Sequence, residues 1–297
     1  MPRRNFEAVV HSVFRSAVNL HPIHSTRLLT LLTSGQPDLP QGIRIEAPDD
    51  FSFNELPTGG LVHCKDGLLQ IYNFPLTIQL AGARRWKCDL SMLSADLATP
   101  SARAAWTLVW DALNQRQRLS EAEILADELL HPDSTSRSVI ARKAGEAMCE
   151  LMDAAQRQTL TDTSALKSLI GLGPGLTPSG DDLLAGYLAG LWCTVCGKTG
   201  RLEFVKNLGK KIVRLSQRTN DISRTSLYHA ARGQVSSTLA NLAEAIAHEE
   251  SPERLHALAE STMQLGHSSG MDTVTGLLLG LTAWDSKLFP MNSTIIR

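Results

Sequence analysis

The 297-residue chain lacks a net charge of either sign: Lys+Arg 29 stand against Asp+Glu 30. No whole-molecule field therefore draws it to nucleic acid. It also lacks a long apolar run. The longest, around 183–196 and 276–284, follow aspartates and are too short to span a bilayer. Neither a nucleic-acid nor a membrane partner is expected. The start, MPRRNFEAVVHSVF, is basic but has no uninterrupted apolar core and no small-residue cleavage site, so no secretory leader is read there. Cysteines are few and odd in number (64, 88, 149, 193, 196), which fits reduced thiols and a cytoplasmic location. The Cys193/Cys196 pair resembles a redox motif in spacing alone. It ends a helix before Gly197, whereas a reactive pair opens one.

What is present falls into two patterns. Up to about Asp89, short apolar runs are broken by Gly and Pro, and Leu69, Ile71, Ile78 and Leu80 keep a period of two. Lys65-Asp66-Gly67 carries the Asp-Gly signature of a tight hairpin. Phe6–Val18 suits either strand or helix, and strand is preferred. After Pro100 the apolar period becomes helical, and Ser120-Glu-Ala-Glu reads as the capped start of a second helix. Further helices are expected near 136–159, 163–170, 180–196, 201–217, 222–248, 252–264 and 270–284. The fold class is α+β: a β-rich N-terminal domain (a small antiparallel sheet or barrel, 1–95), then an α-helical domain (96–297).

Within the helical part, GLGPGLTPSGDDLLAG (171–186) places three loop glycines directly before two aspartates. It has a twin. SGDDLLAGYLAGL from 179 and SGMDTVTGLLLGL from 269 share S-G-x-D-x-x-x-G-x-x-x-G-L at an offset of ninety residues. On a helix Asp182, Gly186 and Gly190 share one face, as do Asp272, Gly276 and Gly280. Glycines four apart let another backbone come close. If the two helices run in the same direction, the aspartates meet at joined N-termini; if antiparallel, they part.

Two readings compete here. S-x-x-D is a capping box, and Thr177-Pro178 is an N-cap followed by Pro at the first helical position. Capping accounts for Ser179, Asp182, Ser269 and Asp272, but not for GLGPG, the extra carboxylate Asp181 or His267 ahead of the second copy. A glycine-rich loop entering a helix presents free N–H donors and a positive dipole end, which suits a phosphate or carboxylate. The expected ligand contacts are Gly173, Gly175, Thr177, Ser179, Gly180 and Asp181 in the first copy, and Ser268, Ser269 and Gly270 in the second. Asp182, Asp272 and His267 are the candidate catalytic groups; Asp182 and Asp272 either seat a divalent metal such as Mg²⁺ or accept hydrogen bonds from a substrate amide, orienting a carbamoyl NH₂. The loop is no Walker motif, for it lacks the lysine. Thr219–Ser226 adds Ser223, Arg224 and Thr225, which either cap a helix or give an anion one charged and two hydroxyl donors.

GLGPGLTPSGDDLLAG, with VHSVFRSAVNL, TNDISRTSLYHAARG and GHSSGMDTVTGLLLGL, resembles the AllH-like proteins, a bacterial family associated with oxamate carbamoyltransferase in anaerobic allantoin breakdown. The resemblance implies a subunit that acts with other protein subunits on a small anionic substrate, carbamoyl phosphate or oxalurate. Two alternatives stand beside it. One is a non-catalytic assembly or regulatory subunit; the other is a metal-assisted amidohydrolase of ureido compounds using the aspartates and His267.

Overall fold

The computed structural model describes residues 5–120, 122–129, 138–248 and 250–285, and the chain divides into two compact units between Lys87 and Cys88.

The first unit is a seven-stranded sheet: β1 (Phe6–Phe14), β2 (Ala17–Pro22), β3 (Leu29–Thr33), β4 (Gly42–Ile45), β5 (Leu61–Lys65), β6 (Leu68–Ile71) and β7 (Thr77–Gln79), in the order β4-β3-β2-β1-β5-β6-β7. The ambiguous first segment is strand, but it holds a hairpin, with Phe14 opposite Ala17. The Asp66-Gly67 turn forms as expected, both residues at positive φ (51° and 81°). One pair departs from the antiparallel expectation: β3 and β4 run parallel, joined by the proline-containing segment 34–41 in place of a tight turn. Alternation puts Ala8, Val10, Val18, Leu20, Leu31, Val62, Leu69 and Ile71 in one core with Phe53.

The second unit contains α1 (Pro100–Leu119), α2 (Ala126–Leu129), α3 (Val139–Gln156), α4 (Ser164–Leu169), α5 (Ser179–Cys193), α6 (Thr199–Leu215), α7 (Asp221–Ala230), α8 (Ser237–Ala247), α9 (Pro252–Met263) and α10 (Ser269–Thr282). Two expectations are corrected. Ser120 closes α1 and opens nothing: its N–H donates to Arg116, and the next helix is the short α2. The span 222–248 holds two helices, because Gly233 takes a positive φ (70°) between α7 and α8. The expected start of α3 at 136–137 lies outside the described residues.

Every residue of α5 is buried except Asp182, and α10 is buried almost throughout. Helices apolar all round form the centre of a bundle. Their mutual packing follows from the glycines. A methyl on Gly186 would run into the Thr273 carbonyl, and one on Gly276 into the Leu183 carbonyl. One turn on, Gly190 meets Leu277 and Gly280 meets Tyr187. Position n on α5 thus faces n+90 on α10, so the helices run in the same direction. Ties at both ends agree: Thr177 Oγ1 lies 2.6 Å from Ser269 Oγ at the N-terminal end, and Trp284 Nε1 donates to Thr194 Oγ1 (2.7 Å) at the other.

Candidate functional site

Parallel packing brings Asp182 and Asp272 to the joined N-termini of α5 and α10, where the positive ends of two helix dipoles lie side by side. Neither helix is capped as the S-x-x-D pattern suggests. α5 begins at Ser179 behind Pro178, α10 begins at Ser269 behind Ser268, and neither cap makes a side-chain hydrogen bond. The carboxyls turn across the helix pair instead. The Ser269 and Thr177 hydroxyls stand beside Asp182, and those of Ser179 and Ser268 beside Asp272, close enough to favour the ionised form of each. Thr177, read as an N-cap, bonds Ser269 and not its own helix.

One oxygen of each carboxyl, Asp182 Oδ2 and Asp272 Oδ2, is buried with no hydrogen-bond partner among the described residues. Burial also pushes both groups up in pKa. Asp182 lies well above the usual carboxylate range, with Asp272 and Asp181 nearby adding to the rise, and Asp272 reaches about 7, with Glu123 adding to its rise.

The glycine loop is longer than its counterpart before α10, and its three glycines (171, 173, 175) all have positive φ (79°, 106°, 89°). Here glycine is required by the backbone path. Gly180 and Gly270 act differently from expectation. Their N–H groups donate to Leu172 and Leu265 (both 2.9 Å), and a side chain would strike the Leu169 and Thr262 carbonyls. They hold each helix start against the preceding helix. The N–H groups of Gly173, Gly175, Leu176, Thr177 and Ser179, by contrast, meet no acceptor among the described residues.

Asp181 fastens this loop. Its Oδ1 accepts the Gly171 N–H (2.9 Å) and its Oδ2 the Thr219 hydroxyl (2.5 Å). Burial still raises its pKa. Asn220 adds a second tie, donating from Nδ2 to Leu176 O (2.9 Å) while its Oδ1 caps α7 at Ile222 and Ser223. The cap of α7 is therefore Asn220, not Ser223. Sequence reasoning missed Thr219 and Asn220, although an Asn followed by Asp one residue ahead of a helix is a cap signature. Thr225 donates back to Asp221 O, and Arg224 pairs with Asp221 (2.8 Å). Ser223 Oγ stands beside Asp181 closely enough to favour its ionised form, yet it makes no well-formed hydrogen bond, and neither does Arg224 Nε.

His267 is exposed on the turn before α10, and no hydrogen bond or ion pair joins it to the aspartates among the described residues. Nor does any group of three or more His, Cys, Asp and Glu side chains gather there in a metal-holding arrangement. Cys193 is buried, which pushes its thiol up in pKa, as expected of a structural cysteine. Among the described residues, no helix is long and apolar enough to cross a membrane.

Comparison with known proteins gives two matches. A model described as the AllH family N-terminal domain matches residues 1–85, and one described as oxamate carbamoyltransferase subunit AllH matches residues 169–281, a span that includes the glycine loop, α5, α7 and α10. No solved structure matches the chain.

Proposed function

The chain belongs to the AllH family, and on that premise we propose that it serves as a subunit of an oxamate carbamoyltransferase, binding a small anion at the glycine loop and the joined starts of α5 and α10. The observation that carries this reading is where unpaired polarity collects. Among the buried side-chain atoms without partners in the described residues, Asp182 Oδ2 and Asp272 Oδ2 lie at the joined helix starts, and Ser223 Oγ stands beside Asp181. Each such group costs about 1–3 kcal/mol unless something fills its bonding capacity, so a cluster of them marks a place built for a ligand.

The chemistry follows from what each part offers. Free N–H groups of Gly173, Gly175, Leu176, Thr177 and Ser179 suit the carboxylate of oxalurate or the phosphate of carbamoyl phosphate. Transfer between them is phosphorolysis. A phosphate oxygen adds to the carbamoyl carbon, the bond from that carbon to the oxamate nitrogen breaks, and that nitrogen takes up a proton. Charge developing on the carbamoyl oxygen is stabilised by fixed donors, with no covalent nucleophile. The purely structural alternative predicts two closed capping boxes, which do not form.

Thermal unfolding of the full chain with phosphate, carbamoyl phosphate, oxamate or oxalurate tests the proposal. A ligand at a hundred times its Kd adds about 2.7 kcal/mol, a rise of several degrees. The shift should shrink in Asp182→Asn. If no ligand shifts the wild-type chain, alone or with its partner subunits, the proposal fails.

A further inference from the structure

We infer that Asp182 and Asp272 form a two-pronged acceptor for one primary amide NH₂ of the substrate, with one Oδ2 receiving each of its two N–H hydrogens. This rests on the anion-binding proposal and adds to it the element that sets specificity.

The argument begins with the symmetry of the pair. α5 and α10 pack with position n facing n+90, so Asp182 and Asp272 are equivalents about a local twofold axis between the helices. Each has hydroxyls beside it, Ser269 and Thr177 for one, Ser179 and Ser268 for the other. Each leaves one buried oxygen open. Asp272 is only 2 % exposed, so bulk water is a poor candidate to fill that need.

When ionised, the open atoms are acceptors only, and a group that donates to them favours that form over the protonated one. A phosphate or carboxylate brings further acceptors and negative charge, and would be repelled by the ionised pair. The anionic end of the substrate therefore belongs with the loop N–H groups, and the inner end must donate. A planar NH₂ offers two hydrogens related by its own twofold axis, matching the two oxygens in number and symmetry. A methyl group of nearly the same size offers none and leaves both oxygens unpaired, the situation in which buried polar sites discriminate most strongly. Such an NH₂ occurs on the carbamoyl donor and on oxamate alike, and this chemistry is common to both.

Two pairs of probes test this, each exchanging NH₂ for CH₃ with the anion unchanged: carbamoyl phosphate against acetyl phosphate, and oxamate against pyruvate. Binding to the full chain, alone and with its partner subunits, is read by thermal shift and calorimetry. At least one pair should favour the amide by about tenfold or more, and the pair that does so identifies whose NH₂ is held. Asp272→Asn should bring that ratio towards one while leaving affinity for the methyl analogue nearly unchanged. Wild-type ratios alone suffice to overturn the inference. If both members of each pair bind within twofold, the amide clasp is wrong while the anion site stands. If none of the four binds, the anion-binding proposal itself has failed.

Discussion

The Ser179 hydroxyl stands beside Asp272 on the neighbouring helix, and the Ser269 hydroxyl stands beside Asp182, close enough to favour the ionised form of each. This exchange is possible only because the glycine faces let α5 and α10 pack in parallel at close approach. The same glycines that hold the helices together thus place two carboxyls at one point. Packing and site are a single device.

That dependence gives the first prediction. Gly186→Ala or Gly276→Ala forces a methyl onto a backbone carbonyl that has nowhere to retreat, and should lower stability by at least about 1–3 kcal/mol. Gly35→Ala, with nothing within 4 Å of the added carbon, should stay within about 0.5 kcal/mol of wild type. Urea unfolding of the three variants checks this. Equal effects would mean the helices do not touch as described.

The second concerns pH. Burial moves the Asp272 carboxyl from an ordinary 3.8 up to about 7, so the folded chain holds that proton more tightly than the unfolded chain. Its contribution to stability is fully present below about pH 4 and is lost as pH rises to about 7. Asp272→Asn has no such proton. The variant's melting temperature, relative to wild type, should therefore climb between pH 4 and 7 and level off above. The exposed Glu123 adds to this rise, while the hydroxyls of Ser179 and Ser268 oppose it. A difference independent of pH would show that Asp272 is solvated.

Much of this was legible in the sequence, and the reasons for the rest are physical. The ninety-residue repeat announces two equivalent helices, but a glycine face packs as well antiparallel as parallel; direction depends on connections outside the motif. The S-x-x-D pattern is chemically ambiguous, because a Ser and an Asp three apart suit a capping box or a bond to a neighbouring helix, and tertiary packing decided against the cap. The Arg15-Ser16 turn carried no glycine or asparagine, so its hairpin left no mark within Phe6–Val18. Asn220 was hidden by a richer cluster of hydroxyls after it.

The last prediction separates the residue that fastens the loop from those that face a ligand. Asp181 lies one position from Asp182, but both of its oxygens are occupied, by the Gly171 N–H and the Thr219 hydroxyl. Its role is therefore to position the loop. Asp181→Ala removes two part-buried hydrogen bonds and should cost about 1–3 kcal/mol. Amide exchange should quicken at Gly171. Asp181→Asn keeps an acceptor for Gly171 and should restore most of that protection. Asp182→Asn, by contrast, should weaken ligand binding and leave exchange in the loop close to wild type. If Asp181→Asn exchanged as fast as Asp181→Ala, the negative charge at that position, and not the Gly171 hydrogen bond, would be what holds the loop in place.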